Sequence, residues 1–96
     1  MAKSDLMKAY DRMTREERQA ARAVRDDAAD EMGMRRFEFM RAVNRGDQDA
    51  LGVLKLSAIE MYPRWEFDQE NFQAFLDMII KFIQALMQIF SMFGGI

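Results

Sequence analysis

The chain has little of what most enzymes and small secreted domains are built from. Its 96 residues include no cysteine, no histidine, one proline and five glycines. Without cysteine there is neither a disulfide framework nor a thiolate metal site, and without histidine the commonest catalytic base is missing. Outside the two tyrosines, the hydroxyl groups are those of Ser4, Thr14, Ser57 and Ser91. These absences predict a non-enzymatic protein with no cofactor, no metal site and no small-molecule substrate.

Helix is the only recurring pattern of the sequence, because residues that would bound strands are scarce. The sequence therefore predicts an all-α fold of three to four helices. Ser4 or Asp5 is expected to cap the first helix, and Thr14 and Glu17 have the spacing of a capping box. A helix starts or restarts at Thr14, unless this residue lies inside one long helix.

Further boundaries are predicted from glycine, aspartate and proline. Gly33 marks a kink or a helix end, and Gly46 is expected just after a helix, with Asp47 as the N-cap of the next one. Pro63 ends that helix, because the residue before a proline is pushed out of the helical region. The last helix is then expected from about Asp68 to Phe93.

This last helix is the most apolar part of the chain. Its polar residues recur at spacings of three and four between Phe72 and Phe93, which confines them to a stripe about 80° wide and leaves about 280° apolar. Such a helix is covered by protein on nearly all sides, or its broad face meets lipid. The polar stripe consists of Gln73, Asp77, Lys81, Gln84, Gln88 and Ser91.

Charge is concentrated in the other part of the sequence. Residues 1–64 hold 13 of the 14 basic side chains and 12 of the 16 acidic ones. We therefore expect a charged helical region over residues 1–64 and an apolar C-terminal helix within residues 65–96, as one domain or as a stem with a tail. The N-terminal residues lack the apolar stretch of a secretory signal, which favours synthesis in a cytoplasm.

The apolar helix is long enough to span a membrane. Its 22 residues from Phe72 to Phe93 extend about 33 Å, compared with a hydrocarbon core of roughly 30 Å. The aromatic residues Tyr62, Trp65 and Phe67 precede it, where a membrane interface would lie. Asp77 and Lys81 oppose the insertion of a single copy, whereas several copies could turn the polar stripe inward. The leading hypothesis is an oligomer that contacts or spans a membrane through this helix, with its N-terminal region in the cytoplasm, and that in the strongest form lines a pore.

Burial in protein explains the same pattern. The chain would then be a structural or adaptor subunit of a large assembly, such as a virus particle or a secretion machine, with the last helix buried against partner chains. In an ordinary helical bundle, the polar stripe would instead lie at the one exposed seam.

A row of arginines on the first long helix is the other candidate binding feature. Its members lie within about 80° of one another on the helix surface, and they are Arg15, Arg18, Arg22 and Arg25. Such a row can contact the phosphates of nucleic acid or lipid, a partner protein, or only solvent. The net charge of −2 does not by itself favour nucleic acid. Three carboxylates at helical spacing are expected to neutralise much of the row, in the pairs Asp11–Arg15, Arg12–Glu16 and Arg22–Asp26.

Overall fold

Five α helices follow one another in the computed structural model, which describes residues 4–63 and 69–94, without the side chain of Gln69. None of these described residues lies in a strand, which confirms the all-α prediction. The predicted number of three to four helices is too low. The helices are α1 (Asp5–Arg12), α2 (Arg15–Glu31), α3 (Arg36–Asn44), α4 (Gln48–Met61) and α5 (Gln69–Met92).

The additional helix arises because the helical backbone is interrupted at Met13 and Thr14, both of which have extended backbone. The Thr14 hydroxyl accepts a hydrogen bond from the Glu17 amide at 3.1 Å, and the Glu17 carboxylate accepts one from the Thr14 amide at 2.8 Å. Both bonds of the predicted capping box are therefore present. Ser4 caps α1, since its hydroxyl accepts a hydrogen bond from the Met7 amide.

Two glycines end α2 and α3 in the same way. Gly33 and Gly46 have φ values of 65° and 81°, a left-handed conformation that glycine adopts without strain from a Cβ atom. After α3, the amide of Gly46 donates to the Val43 carbonyl and the amide of Asp47 donates to the Ala42 carbonyl. This is a Schellman motif, and Gly33 forms the equivalent bonds after α2. Gly33 therefore ends a helix rather than kinking one.

The boundaries of α4 and α5 also follow local signals. The Asp47 carboxylate accepts hydrogen bonds from the amides of Asp49 and Ala50, as predicted for an N-cap. Helix α4 ends at Met61, just before the Tyr62–Pro63 dipeptide. The observed α5, Gln69–Met92, agrees with the predicted bounds to within one residue at each end. The predicted cap Asp68 and the aromatic residues Trp65 and Phe67 lie outside the described residues.

Helix α5 packs against α1, α2 and α3, and α4 packs against α2 and α3. The alanine-rich face of α2 allows its neighbours to approach closely, and Ala21, Val24 and Ala28 are completely buried there. Helix α3 contributes Phe39 and Val43 to the same core. The buried side of α5 consists of Phe72, Leu76, Ile79, Phe82, Ile83 and Ala85.

Candidate functional site

The polar stripe of α5 lies on the side of the helix that faces away from this core. Gln73, Asp77, Lys81 and Ser91 are exposed, whereas Gln84 and Gln88 are half-buried. The Gln73 amide group donates a hydrogen bond to the Asp77 carboxylate at 2.9 Å. Lys81 takes part in none of the ion pairs among the described residues. The stripe is thus brought together as a solvated seam, as expected for the central helix of a bundle.

Helix α5 also has the length and composition of a membrane-spanning segment. The same test is passed by core helices of soluble proteins, and six of the α5 side chains are buried against other helices of this chain. In the most apolar 18-residue window of α5, 28% of the residues are buried, so the bundle covers one face of the apolar arc and leaves the rest half-buried or exposed.

The C-terminal end of α5 differs from its middle, because large apolar side chains are exposed there. Phe90, Met92 and Phe93 are exposed by 37%, 74% and 82%, and we call these three residues the apolar tip. The Phe90 ring contacts that of Phe37 on α3, with the ring centroids 6.1 Å apart. The Arg41 guanidinium lies 6.0 Å from the Phe37 ring centroid. An exposed apolar surface thus adjoins a cationic side chain.

Helix α3 and its ends carry further cationic side chains. The exposed arginines are Arg35, Arg36, Arg41 and Arg45. Arg36 pairs with Asp26 at 3.1 Å, and Arg45 lies 3.9 Å from the carboxylate of Asp47. Arg35 and Arg41 take part in none of the ion pairs among the described residues. The sequence contains this cluster, but only the fold shows that the apolar tip lies against the same helix.

The predicted arginine row divides into one buried member, Arg25, one half-buried member, Arg18, and two exposed members, Arg15 and Arg22. Arg25 is buried, donates to the Asp26 carboxylate at 2.9 Å and lies 3.6 Å from the Met40 sulfur. The other three, together with Gln19, line a surface depression of about 370 Å³. We call this depression the arginine pocket, and its lining residues are Arg15, Arg18, Gln19 and Arg22.

The ion pairs described near this row differ in part from the predicted ones. None of the ion pairs among the described residues involves Arg15, Arg18 or Arg22. Asp26, the expected partner of Arg22, instead contacts Arg25 and Arg36. The Asp26 carboxylate therefore pairs with the adjacent Arg25 and with Arg36 of α3, and the neutralisation of the row by the predicted pairs stays a prediction.

Tyr62 is the one predicted interface aromatic residue that lies within the described part of the chain. It is half-buried, and its ring meets that of Phe75 edge-on at 5.2 Å. Both residues line a groove of about 740 Å³ between the first half of α2 and the start of α5. Glu16 and Glu17 lie on the same groove. The sequence predicts the apolar faces of both helices, but not the gap that remains between them.

Within the described residues, no group of three or more acidic, cysteine or histidine side chains is arranged to hold a metal ion. In comparisons with protein-family models, with curated proteins and with solved structures, no match to this chain was found. Functional inference therefore depends on the exposed surfaces of this chain itself.

Proposed function

We propose that this is a non-enzymatic helical protein that attaches to the surface of an anionic membrane through the apolar tip. The observation that carries the proposal is the exposure of Phe90, Met92 and Phe93 at the end of an otherwise packed helix. Transfer of a large apolar side chain out of water contributes about 1.5–3 kcal/mol. Three such side chains together supply enough free energy for reversible membrane binding.

Charge near the tip supports a lipid surface as the partner. Arg41 is exposed, takes part in no ion pair among the described residues and adjoins the Phe37–Phe90 contact. Each arginine near an anionic leaflet contributes about 1 kcal/mol. Apolar side chains beside arginines are the combination that favours the interface of a bilayer.

Surface attachment is a better fit than a span, because the middle of α5 already has partners. If α5 left the bundle for lipid, the core residues Val24, Phe39 and Val43 of α2 and α3 would lose the helix that completes their core. Exposing them to water would cost about 1.5–3 kcal/mol for each large side chain. In this proposal α5 stays in the bundle, and its solvated polar stripe does not line a pore.

A second candidate function, which the sequence also allows, is that of a subunit of a protein assembly. It is favoured by Leu56 on α4, which is 60% exposed, and by Met61 at the end of the same helix, which is 40% exposed. Apolar side chains exposed on a different helix from the tip suit a contact with another protein chain. Oligomerisation remains a prediction under either candidate.

Vesicle flotation tests the membrane proposal. The full chain is mixed with phosphatidylcholine vesicles with and without phosphatidylglycerol, next to a Met92→Ser/Phe93→Ser variant and a Leu56→Ser control, which removes an exposed apolar side chain elsewhere. We expect the tip variant to bind about ten-fold or more weakly and the control to bind like the original chain.

The same assay separates the alternatives. Release of the bound protein by an alkaline wash supports attachment at the surface, whereas resistance to the wash means that α5 inserts and contradicts the proposal. If no vesicle is bound and the chain self-associates through Leu56, the assembly candidate replaces it.

A further inference from the structure

The arginine pocket concentrates positive charge on one small area of the surface. Three of its four lining residues are arginines, the fourth is Gln19, and no carboxylate belongs to the lining. None of the three arginines takes part in an ion pair among the described residues. Guanidinium groups bind phosphate through pairs of parallel hydrogen bonds, and planar geometry makes arginine the preferred residue for this contact.

Arg18 is held in place inside the pocket. Its Nη2 atom donates a hydrogen bond to the Tyr10 carbonyl at 2.8 Å, and its guanidinium carbon lies 4.3 Å from the Tyr10 ring centroid. Its Nε atom is buried and has no hydrogen-bond partner in the described structure. A side chain fixed by two contacts loses little conformational entropy when a ligand binds. Arg18 is therefore the preorganised wall of the pocket.

Arg22 and Arg15 provide the accessible donors on either side of it. The guanidinium carbon of Arg22 lies 5.7 Å from the Phe82 ring centroid, which favours one region for an otherwise flexible side chain. Arg15 is exposed at the first position of α2. The positive end of the helix dipole adds to its charge, although the capping box already satisfies the nearest amides.

We propose that the arginine pocket binds a phosphate monoester or pyrophosphate group, held by Arg15, Arg18 and Arg22. Such a group carries about two negative charges near neutral pH. It therefore suits a pocket with three arginines better than a carboxylate ligand would, because a carboxylate carries one negative charge. The pocket volume of about 370 Å³ lies at the lower end of the range of roughly 300–1,000 Å³ for small-molecule sites. This site is separate from the apolar tip and does not depend on the proposed membrane attachment.

A single phosphate group fits better than a nucleic-acid backbone. Binding along a nucleic acid needs a continuous basic surface, but α2 carries the exposed acidic residues Glu16, Asp30 and Glu31, and the chain has a net charge of −2. The basic area is therefore local.

Titration of the full chain with inorganic pyrophosphate, followed by calorimetry, tests this site. The variants are Arg22→Gln and Arg15→Gln, with Arg22→Lys as the conservative change and Arg45→Gln as a control that removes the same charge from the end of α3. We expect saturable binding that each glutamine variant at the pocket weakens about ten-fold, that Arg22→Lys weakens less, and that Arg45→Gln changes by less than about two-fold. Circular dichroism checks that every variant is folded.

Three results would overturn the assignment. The first is the absence of saturable pyrophosphate binding, and the second is an equal loss of affinity in Arg45→Gln and Arg22→Gln. The third is displacement of pyrophosphate by a single-stranded oligonucleotide whose affinity falls steeply with salt. This third result would assign the pocket to nucleic acid. A last comparison identifies the source of the phosphate group. Phosphatidic acid vesicles, tested with the Met92→Ser/Phe93→Ser variant, report a lipid monoester, and pyrophosphate reports a soluble ligand.

Discussion

The guanidinium group of Arg18 on α2 lies over the ring of Tyr10 on α1, 4.3 Å from its centroid, and also donates a hydrogen bond to the Tyr10 carbonyl. The Tyr10 ring also stacks against that of Phe82 on α5, with the ring centroids 5.9 Å apart. Tyr10 thus connects the first helix to the arginine pocket and to the core.

Substitution of this tyrosine should therefore weaken the attachment of α1. We expect Tyr10→Ala to lower the free energy of unfolding by about 2–3 kcal/mol, since it removes both ring contacts from a half-buried position. Tyr10→Phe keeps the ring and the backbone carbonyl and should change stability by less than about 0.5 kcal/mol. Urea unfolding measures both, and equal losses in the two variants would show that the hydroxyl group, not the ring, stabilises α1.

Two glycines should respond in opposite directions to alanine. Gly46 has a φ of 81°, so a Cβ atom there is strained although no atom lies within 4 Å of its position. Gly52 lies inside α4, and a Cβ atom there also meets nothing within 4 Å. We expect Gly46→Ala to destabilise the protein by about 1 kcal/mol and Gly52→Ala to stabilise it by about 0.5–1 kcal/mol. Thermal unfolding of both variants should move the midpoint in opposite directions.

The capping box at Thr14 separates α1 from α2 and should contribute measurably to stability. Thr14→Ala removes the acceptor for the Glu17 amide, with an expected loss of about 1 kcal/mol. Thr14→Ser keeps this acceptor and serves as the control. If chemical unfolding shows no difference between alanine and serine, the hydrogen bond at 3.1 Å contributes nothing in solution.

Two phenylalanines, one inside α5 and one just after it, should differ strongly in their contribution to stability. Phe82 is completely buried, whereas Phe93 is 82% exposed. We expect Phe82→Ala to cost about 3–5 kcal/mol and Phe93→Ala less than about 0.5 kcal/mol in buffer. The comparison is made by denaturant unfolding without lipid. A small effect of Phe82→Ala would mean that α5 is not packed in the bundle under those conditions.

Much of the helical architecture could be predicted because its determinants are local. The caps at Ser4 and Asp47 and the glycine ends at Gly33 and Gly46 depend on residues within one turn of each other. The sequence does not decide whether α1 and α2 are separate at Thr14, since a capping-box sequence also occurs inside helices. Local patterns were thus sufficient for boundaries but not for the helix count.

Partners of the apolar arc and of the arginine row could not be predicted in this way. An apolar surface looks the same in sequence whether lipid, another chain or its own bundle covers it, and α5 is covered along its middle by α1, α2 and α3. Similarly, the burial of Arg25 depends on Met40, which is 15 residues away. Long-range packing decides which members of a periodic row remain accessible, and sequence spacing does not contain this information.

We propose that α5 is a core helix along its middle and a membrane contact at its tip. Thiol labelling tests both parts at once, because the chain has no cysteine of its own. The variants Ile83→Cys and Met92→Cys place one thiol at a completely buried and one at an exposed position.

The rate at which a thiol reagent labels each variant is measured with and without anionic vesicles, which tests the packing of α5 and the membrane contact of its tip together. We predict slow labelling at position 83 under both conditions, and fast labelling at position 92 that becomes slow when vesicles are added. Equally fast labelling of both thiols in buffer would contradict the packing of α5, and a rate at position 92 that vesicles leave unchanged would contradict its contact with the membrane.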